Sequence, residues 1–160
     1  MIFVTAGTQL PFDRLVEAVD SIAAEYKDAK FVVQALTSTY KANNIEVTNF
    51  LSAAEFTNHL NNAQLIVSHA GMGTIISALV KKIPIIVMPR LFEFNEHRND
   101  HQLGTAKQMD LGGYVHVAYD AKDLITMFKQ MWPNNLNIRN VIGDEPADEF
   151  IESLNNYIKR

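Results

Sequence analysis

Short runs of consecutive apolar residues alternate along this chain with longer segments whose apolar positions recur at helical spacing. Ile2, Phe3 and Val4 with Thr5 read as a buried first strand. Phe12, Leu15, Val16, Val19, Ile22 and Ala23 then mark one face of a helix begun by Pro11 and Asp13. Strands are expected at 31–36 and 45–50, with the polar stretch 37–44 between them. Ser52-Ala53-Ala54-Glu55 is a capping box, Leu51 and Phe56 are placed as its hydrophobic staple, and the helix should run to about Asn62. Leu65, Ile66 and Val67 form the next buried strand. Met72, Ile75, Ile76, Leu79, Val80 and Ile83 follow as the apolar face of a helix, with Lys81 and Lys82 at its negative dipole end and Pro84 beyond. Ile85, Ile86, Val87 and Met88 are a further buried strand. Residues 89–98 read as a loop, 99–109 as a helix and 114–117 as a strand after Gly112 and Gly113. Asp120 then caps a helix that Pro133 stops. A last helix is expected at about 147–159, with Phe150, Ile151, Leu154, Tyr157 and Ile158 as its stripe. It either packs on its own domain or docks a partner.

Strands alternating with helices predict an α/β fold, a doubly wound, Rossmann-like parallel sheet with helices on both faces. The chain's 160 residues suit one such domain, 1–160. In sheets of this kind ligands lie beyond the carboxyl ends of the strands. The turns at Gly7 and at 69–73 and the loop after Met88 all open there.

Composition narrows the function. Hydrophobic residues at 48% and charged residues at 20% are ordinary for a globular protein. A formal net charge of -4 argues against nucleic acid and against an anionic membrane surface as direct partners. The chain contains no cysteine, which excludes a disulfide framework and thiolate metal sites. No apolar run approaches the roughly 18 residues of a membrane span. The opening residues lack the basic and apolar regions of a signal peptide, so a cytoplasmic location is expected.

The chemistry concentrates in Ser68-His69-Ala70-Gly71-Met72-Gly73-Thr74, where a strand turns into a helix. Free N–H groups and the positive dipole end of a helix favour an anion there, and glycines let an oxygen approach the backbone. Ser68, His69 and Thr74 add side-chain donors. One reading is a phosphate or diphosphate cradle; the other is a tight turn whose glycines serve packing alone. Ala6-Gly7-Thr8-Gln9 is a second small-residue turn at the same sheet edge, which favours the first reading. In the loop, Glu93 and Glu96 are candidates for acid–base work, or simply solvated carboxylates. His97 and His101 have the i, i+4 spacing of two metal ligands on a helix, but no glutamate directly follows His97 and no third ligand is evident, so no metal is expected. Phe92 and Phe94 either pack beneath the loop or meet another protein.

With these residues in view the chain resembles glycosyltransferase family 28, specifically the donor-binding half of a GT-B enzyme. The motif at 68–74, Pro84, Met88-Pro89 and His101-Gln102 carry the likeness. The family's short, single-domain members match best. They include the catalytic subunit of the two-subunit transferase that adds the second GlcNAc to dolichol-linked oligosaccharides, and bacterial counterparts in exopolysaccharide and capsule synthesis. The opening Phe3-Val4-Thr5-Ala6-Gly7-Thr8-Gln9-Leu10-Pro11-Phe12-Asp13-Arg14-Leu15 and the insert from Pro89 to His97 resemble the bacterial subunits.

The resemblance implies that Gly7, Thr8, Ser68, His69, Gly71, Gly73 and Thr74 hold the diphosphate of a UDP-sugar. Asp100, His101 and Gln102 would meet the donor sugar, with Ser77 on the ribose side. It also implies inversion at the anomeric carbon without an obligatory metal or other cofactor. Glu96 and His97 are the catalytic candidates within this chain, although the family's general base tends to come from the acceptor half. That half should be a separate, membrane-anchored subunit that recruits this chain to the inner face of the membrane, and self-association is expected when the partner is missing. One position departs from the pattern: where family members usually carry a ribose-binding glutamate, this chain has Ser77, which cannot accept two hydroxyls bidentately. Ser77 keeps open a non-catalytic, sugar-nucleotide-binding or scaffolding subunit. A dinucleotide enzyme fits poorly, because the Gly-x-Gly-x-x-Gly spacing is absent after the first strand.

Overall fold

The computed structural model describes residues 1–37 and 39–140. The helix expected at 147–159 lies outside the described residues. Six parallel strands, β1 (Ile2–Thr5), β2 (Phe31–Gln34), β3 (Val47–Thr48), β4 (Leu65–His69), β5 (Ile85–Met88) and β6 (His116–Val117), form one sheet. Their order is β3-β2-β1-β4-β5-β6. The chain runs outward from β1 to one edge and then returns to lay β4 on the other side of β1. The order therefore reverses between β1 and β4, where Thr5 pairs with Ser68. A crevice opens at such a reversal, beyond the carboxyl ends of the two strands.

Alternate residues of each strand feed two cores. Ile2 and Val4 face helices α1 (Asp13–Glu25) and α5 (Ala121–Met131), packing with Phe12, Leu15, Ile22 and Phe128. Phe3 and Ile66 face the other side, where Leu60, Ile75, Leu79 and Ala106 come from α2 (Ala53–Asn62), α3 (Met72–Val80) and α4 (His101–Leu111). The capping box of α2 forms as expected, with Ser52 and Glu55 bonding reciprocally, and Phe56 meets Phe3 edge-on at 5.2 Å.

The strands expected at 31–36 and 114–117 are shorter, Phe31–Gln34 and His116–Val117, and three further differences have a visible reason. The strand expected at 45–50 shrinks to β3, because the Asn49 carbonyl accepts from the Gln34 side chain instead of continuing the ladder. The helix expected at 99–109 begins later, at His101. Asn99 Oδ1 accepts the His101 N–H, while the Asp100 carboxylate is drawn off to the Phe92 N–H. The buried face of α3 is Thr74, Ile75, Ala78 and Leu79, whereas Met72 and Ile76 are 41% and 43% exposed. Small residues let the helix approach the sheet, so size chose this face over hydrophobicity.

Candidate active site

A cleft of about 600 Å³ opens at the strand-order reversal. Its walls are the β1–α1 turn (Ala6 to Gln9), the β4–α3 turn (His69, Gly71) and the segment after β5 (Arg90, His97 to Gln102). Two guanidinium groups and three imidazoles line it, and among the described residues no carboxylate does. In a chain of net charge -4 this is a local excess of cation donors. A low-dielectric wall makes such a cluster attract anions more strongly than the same charges in water.

His69 is the centre of the two glycine turns. Its Nδ1 lies 3.3 Å from the Thr5 carbonyl oxygen, which can only accept, so the neutral ring carries its proton on Nδ1. Ser68 Oγ is 3.4 Å from the same nitrogen. The ring fills the space that side chains at Gly71 and Gly7 would need: a methyl group on Gly71 would overlap it, and one on Gly7 would crowd it. Gly7 also has φ +74°, the left-handed region that glycine adopts without strain. Packing against the imidazole thus accounts for two of the motif's glycines. Burial, the nearby Arg90 and His97 charges and only partial relief from Thr5 push the His69 pKa down to about 4. It is a neutral imidazole at physiological pH.

Gly73 is different. No atom outside its own helix lies within 4 Å of where a side chain would sit, and it occupies the first turn of α3. The N-cap, Gly71, makes no side-chain cap bond, and the first turn holds no acidic residue. The N-terminal N–H groups of α3 therefore remain available to an anion at the edge of the cleft.

Arg90, to which the sequence alone gives no role, organises the site. The residue is 2% exposed, and its guanidinium donates to four carbonyls: Ala6 (2.6 Å), Leu10 (2.8 Å), Pro11 (3.0 Å) and Glu96 (2.9 Å). It also lies over the Phe12 ring at 4.8 Å. One side chain thereby clamps the β1–α1 turn to the loop after β5. Burial lowers its pKa to about 10, partly offset by Glu96, so it stays charged at pH 7. Gln34 clamps the other flank: its Oε1 accepts from Thr5 Oγ1 at 2.8 Å, and its Nε2 donates to the Gly7 and Asn49 carbonyls. Gln102 Oε1 accepts the Arg90 N–H at 3.2 Å, and its amide nitrogen has no partner among the described residues.

The expected site residues divide on inspection. Gly7, Thr8, His69, Gly71, His97, His101 and Gln102 meet in the cleft. Thr74 lines an adjoining hollow of about 220 Å³ with Gly7, Thr8, His69, Gln34, Leu51 and Phe56. Ser68 is fully buried behind His69. Ser77 donates its hydroxyl to the Gly73 carbonyl at 2.8 Å, and Asp100 accepts from Phe92, so neither lines the cleft. Glu96 faces away and is 5% exposed. Its carboxylate takes Arg14 Nε and Nη2 at 3.0 and 2.8 Å and also the Leu91 N–H, so its lone pairs serve the fold rather than a proton transfer. Arg98, a function-capable side chain of the loop to which the sequence gives no role, and Asn99 join the lining. The signal that could have found Arg90 is its place directly after a buried central strand and Pro89, at the ligand-bearing end of the sheet.

Comparison with known proteins completes the picture. Residues 1–154 match the family model described as the glycosyltransferase family 28 C-terminal domain. The chain belongs to this family. A relative from Cryptococcus neoformans, "UDP-N-acetylglucosamine transferase subunit ALG13", is 27% identical over 117 residues, covering 71% of this chain and 56% of that protein. The protein of the same name from Candida albicans is 32% identical over 85 residues, covering 53% of this chain and 27% of its own length. This chain thus spans little more than half the length of the former and a quarter of the latter. Among solved structures, an NMR structure of ALG13 aligns over 96% of this chain and 93% of its own, with TM-score 0.56 and 19% identity. The UDP-GlcNAc 2-epimerase of Neisseria meningitidis aligns over 99% of this chain and 44% of its own, with TM-score 0.64 and 16% identity. The glycosyltransferase of kitacinnamycin aligns over 83% and 35%, with TM-score 0.60 and 20% identity. At these identities the structures establish a shared fold, that of one half of a GT-B glycosyltransferase.

Proposed function

We propose that this chain is the donor-binding, catalytic subunit of an inverting UDP-sugar glycosyltransferase. In this reading it works with a separate, membrane-anchored acceptor-binding subunit at the cytoplasmic face, extending a lipid-linked sugar in exopolysaccharide or capsule synthesis. The observation that carries the proposal is the cleft at the β1–β4 reversal, lined by two arginines and three histidines and, among the described residues, by no carboxylate, beside an uncapped helix N-terminus. A diphosphate is the ligand such a lining suits. The relatives' name supports an N-acetylhexosamine donor.

The acceptor hydroxyl attacks the anomeric carbon, the bond to the β-phosphate oxygen breaks with its electron pair, and UDP leaves. Arg98 and the α3 N-terminus face the charge that develops, with the positive field of the buried Arg90 behind them, in place of a divalent cation. The free amide nitrogen of Gln102, with His101 beside it, is placed to hold a sugar hydroxyl. The general base is assigned to the acceptor half, since Glu96 is consumed by Arg14.

Ser77 favours one second reading, a sugar-nucleotide-binding subunit that only stabilises its partner, because its hydroxyl is bonded to Gly73 and offers the ribose no carboxylate. The two separate in a reconstituted complex supplied with lipid-linked acceptor and a panel of UDP-sugars. Release of UDP that disappears in Gln102→Ala and His69→Gln supports catalysis here. Full turnover by a complex carrying either variant supports the scaffold, and no UDP from any donor overturns the transferase.

A further inference from the structure

Resting on the UDP-sugar reading above, we infer that donor binding is coupled to proton uptake by the His97–His101 pair, and that the proton remains as counter-charge to the departing diphosphate. His97 and His101 meet edge-on with ring centroids 4.4 Å apart, both lining the cleft. His97 Nδ1 is buried and has no hydrogen-bond partner among the described residues. A buried polar atom left unpaired costs about 1–3 kcal/mol, which a bound group can recover. Two imidazoles this close do not both carry a proton in an empty cleft.

The surroundings reinforce this. Facing His97 are Arg90 from the end of β5, His69 from the end of β4, and Arg98 and Glu96 beside it in the chain. The one carboxylate in this set, Glu96, points to Arg14. Burial first, then His101 and Arg90, depress the His97 pKa, while Asn99 opposes them. His97 is therefore neutral at pH 7 without ligand. A UDP-sugar brings two negative charges into the same space, which reverses the balance and draws a proton onto one ring. His69 takes no part: its Nδ1–H is held by the Thr5 carbonyl, and burial keeps its pKa down at about 4, so Nε2 stays unprotonated. During transfer the bonding pair of the C–O bond passes to the β-phosphate oxygen and the diphosphate gains a third negative charge. The imidazolium faces that charge, while the acceptor's proton goes to the base of the other subunit.

The test is calorimetric titration of UDP-GlcNAc into the chain, alone and with its partner subunit, in two buffers of unlike ionisation enthalpy. A UDP-sugar has no group that titrates near neutral pH, so every proton counted belongs to the protein. We expect uptake of roughly half to one proton per donor at pH 7, and affinity about tenfold tighter at pH 6 than at pH 8. His97→Gln should abolish the uptake and flatten the profile, while His116→Gln, half-buried on β6 and outside the cleft, should leave both unchanged. His101→Gln gives an independent variant, and the wild-type proton count decides the matter if either fails to fold. Binding with no proton uptake, or uptake that survives both cleft variants, overturns the inference and leaves the donor reading intact. Absence of binding under every condition overturns the donor reading and the inference together.

Discussion

Arg90→Met removes every donor from the clamp while keeping most of the apolar stem over Phe12. Four carbonyls on two loops, at Ala6, Leu10, Pro11 and Glu96, then lose their partner in a site that water scarcely reaches. Bonds to a charged donor are worth about 1.5–3 kcal/mol each, but the variant also escapes the cost of burying a guanidinium. Four buried carbonyls left unpaired at about 1–3 kcal/mol each, less the relief from no longer burying a guanidinium, leave a net loss of about 3–5 kcal/mol, against a total stability of about 5–15 kcal/mol for a domain. With a urea m-value of about 2 kcal/mol per M, the unfolding midpoint should fall by roughly 1.5–2.5 M. Arg90→Lys should lose about half as much, because a compact ammonium cannot span carbonyls on both loops. Equilibrium urea unfolding followed by circular dichroism measures both variants. An Arg90→Met midpoint within about 0.3 M of the parent at equal m would refute the clamp.

The two motif glycines should respond in opposite ways. Gly71→Ala must displace the His69 ring and should lower both stability and UDP-sugar affinity, as unfolding and calorimetry would show. Gly73→Ala meets open space within a helix and should stabilise folding by about 0.5–1 kcal/mol, yet still weaken UDP-sugar binding if phosphate approaches that backbone. Stability should rise with pH between about 4 and the usual histidine range, because the unfolded His69 binds a proton there and the folded one does not. The contribution is up to about 3 kcal/mol, is lost as pH falls toward 4, and should vanish in His69→Gln during pH-dependent unfolding. Glu96→Gln should cost about 1–3 kcal/mol through its Arg14 pair while leaving the turnover of the folded complex within about threefold. A loss of three or more decades in turnover would instead restore Glu96 as the base.

Much of the fold was legible because central parallel strands are covered on both faces and read as unbroken apolar runs. Ile2–Thr5 and Ile85–Met88 follow this rule to the residue. Edge elements do not: β3 ends where the Gln34 amide captures the Asn49 carbonyl, a contact no local pattern contains. The α3 face is legible only in part: Ile75 and Leu79 are buried and Ile83 packs against the same core, but the small Thr74 and Ala78 share that face while Met72 and Ile76 stay outside. Within the site, strand-to-helix turns carrying glycine announced themselves in sequence, but the purpose of Gly71 emerges only with the His69 ring beside it. Arg90 and Glu96 defied reading outright. Each is defined by partners far along the chain, Ala6 84 residues from Arg90 and Arg14 82 residues from Glu96. A loop read alone makes Glu96 look like the reactive group and Arg90 like a bystander.

The central claim is that the cleft between the β1–α1 and β4–α3 turns receives the diphosphate of a UDP-sugar. Amide chemical-shift mapping by NMR during titration with UDP-GlcNAc tests it most directly, with the partner subunit added unlabelled in a parallel series. Saturable shifts are expected at Gly7, Thr8, Gly71, Gly73 and residues 97–102, weakened in Gly71→Ala. Shifts that cluster instead around Arg14 and Phe94, or none in either series, would contradict it.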